Sequence, residues 1–307
     1  MLIFTSFVQG IKNVWLNKFL IGIMFLFKLG FSLILLTPLY LMFSASFGAN
    51  AKASSLLRGF DFSLLIDFVY HWRHTLSIYF LMFFLASFLA IMVFIFFSGG
   101  FWGILRDESK RKERNLKMER FFGYCARYFW GMFKIALLQV AFYLIVFFLF
   151  LFFLTLFDLL AGKGSWFEIT SWRTLVKIAV FVFLFFLVNM IGDYLRIFYI
   201  SQDKEFAQNF KERFSGFVKK ALRFLLTNFF KTLSLYYLLS LVLVLAILTY
   251  VGANKVMEGI PRTSLYILLV FLIQQILSLF RAFYRLVYYS SQIVLVDKLL
   301  TEEERLP

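Results

Sequence analysis

Cysteine and histidine are nearly missing from this chain, and charge is scarce. Cys125 is the only cysteine, which excludes an intrachain disulfide and any multi-cysteine metal site. At its position it reads as a small packing residue on an amphipathic face, not a reactive thiol. Charged residues make up 16% of the chain, and the only two histidines, His71 and His74, stand close together. The signatures of familiar chemistries are missing too. There is no phosphate-binding glycine loop, no Gly-x-Ser-x-Gly elbow, no pair of carboxylates inside an apolar run and no His-Glu-x-x-His. The sequence therefore specifies no reaction.

What it has in abundance is apolar surface. Of 307 residues, 62% are hydrophobic and 46 are Phe, far above a soluble domain. Several windows reach the length of a bilayer crossing, which makes the chain a polytopic α-helical membrane protein. Six spans are expected, at Phe19–Phe43, Thr75–Phe97, Ile135–Phe157, Thr174–Ile200, Thr232–Val251 and Ser264–Tyr289. The first run is about twice the length of a signal-peptide core and is read as a retained span.

The formal net charge of +15 raises nucleic acid as a partner, but the basic residues lie beside the spans and no nucleic-acid module is recognisable. Residues 98–134 carry nine Lys/Arg and 197–231 carry seven; the connections 44–74, 158–173 and 252–263 carry three, two and two. That asymmetry over short loops places both termini in the cytoplasm.

An amphipathic stretch precedes each odd-numbered span. In the clearest, Phe210, Phe214, Phe217, Ala221 and Phe224 share one helical face while Lys211, Arg213, Lys219, Lys220 and Arg223 fall largely on the other. The pattern stops at Thr227-Asn228, and Lys231 opens the next apolar run. Phe7 to Phe19 before span one and Tyr124 to Lys134 before span three share its character. The even-numbered spans end alike, around Arg106, Arg196 and Arg281/Arg285. The expected architecture is all-α: a single membrane domain, 1–307, of six spans in three hairpins, each preceded by a cytoplasmic interfacial helix. It reads as a threefold internal repeat of units near 1–110, 111–205 and 206–307, its basic, aromatic collar resting on anionic lipid.

These features together resemble a known group. Gly99-Gly100 at the end of span two, a basic loop, an aromatic-rich amphipathic helix and a second basic one before span five are similar to a broad set of six-span prokaryotic proteins. Its best-known label is the membrane domain attached to some glycerophosphodiester phosphodiesterases. The resemblance covers nearly the whole chain through loose motifs. In that group the phosphodiesterase activity resides in a separate soluble barrel, and none lies within these residues. The resemblance thus implies a membrane module in a prokaryotic cytoplasmic membrane and transfers no active-site residue. Gly99-Gly100 itself reads as a helix C-terminal cap and a place for close packing.

Three groups of residues are candidates for ligand contact. Lys28 lies about 14 Å inside span one at the helical rise of about 1.5 Å per residue; it suits an anionic headgroup, or snorkels to the surface. Asn189, Asp193 and Arg196 line the end of span four, and Arg281 and Arg285 occupy the corresponding end of span six, with Gln274 and Gln275 further in. Brought together, these would form a net-cationic pocket for a lipid phosphate, which Arg binds bidentately; alternatively the arginines simply anchor each span end. Last, Asp67, His71 and His74 fall on one helical face at i, i+4 and i+7, a spacing that can seat zinc with an open position. The bland alternative there is a surface helix, Leu56 to His74, anchored by Tyr70 and Trp72. No span shows a polar stripe long enough to line a pore. The expected function is non-enzymatic: a transporter of lipid or another hydrophobic anion, or a scaffold with a protein partner in a membrane complex. The alternative is a metal-dependent membrane enzyme acting on lipid headgroups.

Overall fold

The computed structural model describes residues 2–47, 62–110, 118–161, 172–201, 210–257 and 264–303. Every described element is a helix: α1 (Leu2–Leu16), α2 (Lys18–Phe47), α3 (Phe62–His71), α4 (Arg73–Lys110), α5 (Met118–Ala161), α6 (Trp172–Ser201), α7 (Phe210–Thr227), α8 (Phe229–Met257) and α9 (Ser264–Glu303). Six of them are long and apolar enough to cross a membrane, within α2, α4, α5, α6, α8 and α9. The chain is a multi-pass membrane protein. Helices close all their backbone hydrogen bonds internally, which is what hydrocarbon demands.

Two compact units emerge. One comprises residues 19–94, the other 1–18 and 95–307, a division that falls within α4 and not at the expected repeat boundaries.

The smaller unit is knit at one end by aromatic packing. Met42 and Phe43 of α2 meet Phe68 of α3, Trp72 in the turn after it and Leu76 of α4, with Phe43 stacked on Phe68 at 4.3 Å. The Trp72 indole N–H donates to the Ser46 hydroxyl. Deeper in α2, Pro38 removes one helical donor, and Tyr79 of α4 donates its hydroxyl to the Leu35 carbonyl nearby, at 2.9 Å.

The larger unit buries its core toward one end of its long helices. Phe101, Trp102 and Leu105 of α4, Phe121, Cys125 and Met132 of α5, Met190 and Tyr194 of α6, and Leu286, Val287 and Tyr289 to Val296 along α9 are buried. Further along, Leu144 and Phe152 of α5, Val182 of α6, Leu248 of α8 and Ile276 of α9 are exposed. Such surface is unsustainable in water and ordinary in lipid, where apolar side chains gain nothing by hiding from hydrocarbon.

Glycines set how closely the helices meet at the buried end. Gly100 sits mid-helix in α4, so the expected C-terminal cap is not there; the helix runs on because the apolar and basic residues beyond it are all helix-compatible. The expected close packing is there. A Cβ added at Gly100 would lie 2.6 Å from the Phe121 ring and would press on the Cys125 sulfur, and one at Gly103 would lie 2.8 Å from the Tyr124 ring. Cys125 is accordingly a buried packing residue.

The amphipathic stretches differ from one another. At Asn17 the helix breaks: the Asn17 side-chain amide donates to the Asn13 carbonyl at 2.9 Å, while its backbone N–H turns to Val14 at 3.0 Å. The side chain thus takes the acceptor that the backbone would have used. A second break falls at Asn228, between α7 and α8. Before the third expected span there is no break, and Tyr124 to Lys134 continue straight into it as part of α5. The apolar face of α7 also differs from expectation. Phe217, Ala221 and Phe224 are buried against α6, through Tyr199 and through Tyr194 and Phe198, while Lys219, Lys220 and Arg223 are exposed. Its partner is protein, because Tyr194, Phe198 and Tyr199 at the end of the α6 span meet its rings. The side chains of Phe210 to Ser215 lie outside the described ones. Helix α1 buries Ser6, Gly10, Asn13 and Val14, packs along α9, and leaves Phe4, Val8 and Trp15 exposed.

Candidate functional site: a polar cluster at the buried span ends

Polar side chains from α5, α6 and α9 converge at the buried end of the larger unit. On α6, Asp193 pairs with Arg196 at 2.7 Å, one turn on. The second guanidinium nitrogen of Arg196 donates to Gln139 Oε1 of α5 at 2.6 Å. Gln139 in turn reaches the Asn189 Oδ1 at 3.4 Å, and the Tyr143 hydroxyl donates to the same oxygen at 2.6 Å. Asn189 secures itself to its own helix by donating to the Phe185 carbonyl at 3.0 Å. The result is one continuous hydrogen-bonded chain, Asp193–Arg196–Gln139–Asn189–Tyr143, stitching α5 to α6. Gly192 admits it: a Cβ there would lie 2.7 Å from Gln139 Cδ.

Helix α9 supplies the second cation. Arg285 lies close enough to Asp193 for their charges to interact. Its Nε donates to the Tyr289 hydroxyl at 2.7 Å, and its guanidinium stands 5.9 Å from the centre of that ring. Tyr289 is held from behind by stacking on Trp102 of α4 at 4.3 Å. Asp193 is buried while Arg285 is exposed. Among the described residues, one buried carboxylate therefore lies within reach of the charges of two arginines. Arg285 lies 21 residues into α9, about 32 Å from its start, and so near the far edge of a hydrocarbon core of about 30 Å.

The cluster continues inward. Gln292, one turn beyond Tyr289, sits beside Asp193, and Tyr236 of α8 meets Tyr288 edge-on at 5.0 Å. Both amide atoms of Gln292 and the hydroxyls of Tyr194 and Tyr288 are buried without a hydrogen bond of ordinary geometry. Buried polar groups of this kind retain capacity for water or a polar ligand. Further along α9, Asp297 pairs with Arg106 of α4 at 2.8 Å.

Of the expected cationic pocket, the structure unites Asn189, Asp193, Arg196 and Arg285. Arg281 and Gln274 are exposed and contribute no contact to the chain of bonds. They lie one turn and three turns nearer the apolar half of α9, beyond the level of Asp193. Sequence reasoning passed over Gln139, the one amide in the run Ile135–Phe157, although a polar side chain inside a span is itself a signal. It also passed over Tyr143, Tyr289 and Gln292, which nothing in composition separates from other residues of an aromatic-rich chain.

Lys28 lies half-buried in α2, in the smaller unit. Asp67 and His71 belong to α3 and His74 to α4, with a turn at Trp72 between them. All three are exposed, and among the described residues no group of three or more His, Cys, Asp or Glu is placed to hold a metal ion. The one-face spacing assumed a single uninterrupted helix. Residues 56–61 of the expected surface helix lie outside the described ones.

No protein-family model, curated protein or solved structure matches this chain.

Proposed function

We propose that this protein binds an anionic lipid, or another hydrophobic anion, at the cluster formed by Asn189, Asp193, Arg196 and Arg285, and that it handles that molecule without covalent chemistry. The observation that carries the reading is the pair of arginines at Asp193. Two arginines share one buried carboxylate, and the exposed Arg285 stands near the membrane boundary. A guanidinium fixed by Tyr289 is preorganised for bidentate contact with phosphate or carboxylate. The proposal includes a prokaryotic cytoplasmic membrane, with the basic end and both termini on the cytoplasmic side, as the Lys/Arg asymmetry indicates. It also includes descent from a threefold repeat, which the paired breaks at Asn17 and Asn228 support and the unbroken α5 does not. Kinship with the membrane domains of glycerophosphodiester phosphodiesterases rests on the motifs quoted above.

The test is native mass spectrometry of protein extracted in gentle detergent, with lipid extraction and metal analysis. A defined phospholipid that co-purifies with the wild type and is lost from Arg285→Ala is the expected result. Lipid content unchanged in Arg285→Ala would overturn the assignment of the site. A stable protein companion with neither lipid nor metal would replace it with a scaffold role. Stoichiometric zinc lost from His71→Ala would instead point to the enzyme alternative.

A further inference from the structure

A second basic site lies on the same unit, away from the Asp193 cluster. A surface groove of about 400 Å³ runs between the end of α4 and the beginning of α5, lined by Asp107, Arg120, Gly123, Tyr124 and Arg127. Arg120 and Arg127 are two turns apart on α5 and both exposed, separated by about 10 Å of helix rise. Gly123 lies between them, and nothing approaches within 4 Å of where its Cβ would stand. The helix backbone is therefore bare where the two guanidinium groups can converge. Tyr124 fixes the far wall by donating its hydroxyl to Asp107 at 2.8 Å and stacking on Tyr128. Arg127 is positioned along that aromatic ledge, its guanidinium 6.0 Å from the Tyr128 ring.

We infer that this groove holds the phosphodiester headgroup of a membrane glycerophospholipid. Two observations select that ligand. Among the described residues, the groove sets two arginines against one carboxylate, the guanidinium chemistry that recognises a phosphodiester. On the adjoining face of the same helix, Met118, Phe122 and Trp130 are exposed, so an apolar track for acyl chains runs beside the cationic groove. Trp130 stands three residues past Arg127, in the position that aromatic residues favour at the headgroup level. Arg127 precedes Gln139 by 12 residues, about 18 Å along α5, so this site and the Asp193 cluster are separately addressable.

The experiment uses the full-length protein in phosphatidylcholine nanodiscs doped with phosphatidylglycerol, and counts retained phosphatidylglycerol by native mass spectrometry. The double variant Arg120→Ala/Arg127→Ala should lose one phosphatidylglycerol, with at least about tenfold weaker retention, and this loss should occur equally in the wild-type and the Arg285→Ala backgrounds. Gly123→Glu, which places a carboxylate between the two arginines without touching either, should give the same loss. Retention unchanged in both groove variants would overturn the inference even if the Arg285 site proves real. Glycerol 3-phosphate added to detergent-solubilised protein separates the sources. Arginine-dependent binding of that soluble monoester, without arginine-dependent retention of phosphatidylglycerol, would reject a lipid ligand in favour of a soluble phosphate.

Discussion

Gly192 of α6 and Gln139 of α5 interlock: the glycine leaves room for the Gln139 side chain, whose Oε1 then accepts from Arg196 at 2.6 Å. A single methyl at Gly192 would occupy the space of the Gln139 amide. Gly192→Ala should therefore push α5 and α6 apart and cost about 1–3 kcal/mol, the usual range for overpacking. Thermal unfolding in detergent should show a lowered Tm, with little change for Gly123→Ala, whose Cβ meets open space.

Gln139→Leu keeps the volume and removes the bridge. Arg196 would retain Asp193 but lose its second acceptor, at a cost of about 1–3 kcal/mol for a hydrogen bond to a charged group in a buried setting. A Tm unchanged within error would show that the bridge carries no stability.

Asp193→Asn removes the carboxylate that Arg196 pairs with and Arg285 faces. Breaking a buried pair from one side costs about 3–5 kcal/mol, whereas replacing both partners by apolar groups is often close to neutral. Asp193→Asn should accordingly be the more damaging change, with Asp193→Leu/Arg196→Met partly recovering Tm. The opposite order would mean that the carboxylate is dispensable to the fold.

Cys125, fully buried against Gly100 and Phe121, should resist maleimide in folded protein and react only after denaturation. Gly100→Val, which would force α4 away from α5, should expose it. Fast labelling of the native wild type would contradict the packing described for these helices.

Six crossings place both ends of the chain on one side. In a Cys125→Ala background, Lys219→Cys on α7 and Lys255→Cys on α8 stand at opposite ends of the fifth span, both exposed. A membrane-impermeant maleimide applied to intact cells should label position 255 and spare 219. The reverse pattern would invert the proposed orientation.

The spans were legible because an apolar run of bilayer length has few alternatives, and the break at Asn228 because a basic amphipathic period stops there. The destination of the α7 apolar face was not. Phe217 and Phe224 make the same stripe whether it meets acyl chains or the aromatic rings of α6, and sequence period does not name the partner. The juxtaposition of α6 and α9 entered the sequence reading only as a condition, since matching arginines at two helix ends serve equally as separate anchors, and which arginine faces Asp193 depended on depth along the helix. Arg281 and Arg285 differ by only one turn. Gln139, a lone amide in an apolar run, carried a signal that the sequence reading passed over; its partner Arg196 could be found only once α5 and α6 were seen to pack.

The pairing of α1 with α9 has a consequence for biogenesis. Gly10 seats against Ser291 and Thr5 accepts from Lys298 at 3.1 Å, so α1 is synthesised long before the α9 residues it packs on. Contacts of such long sequence separation form late. Closure of this unit therefore waits on α9, and a chain truncated before residue 290 would lack the Ser291 and Lys298 surface on which α1 rests.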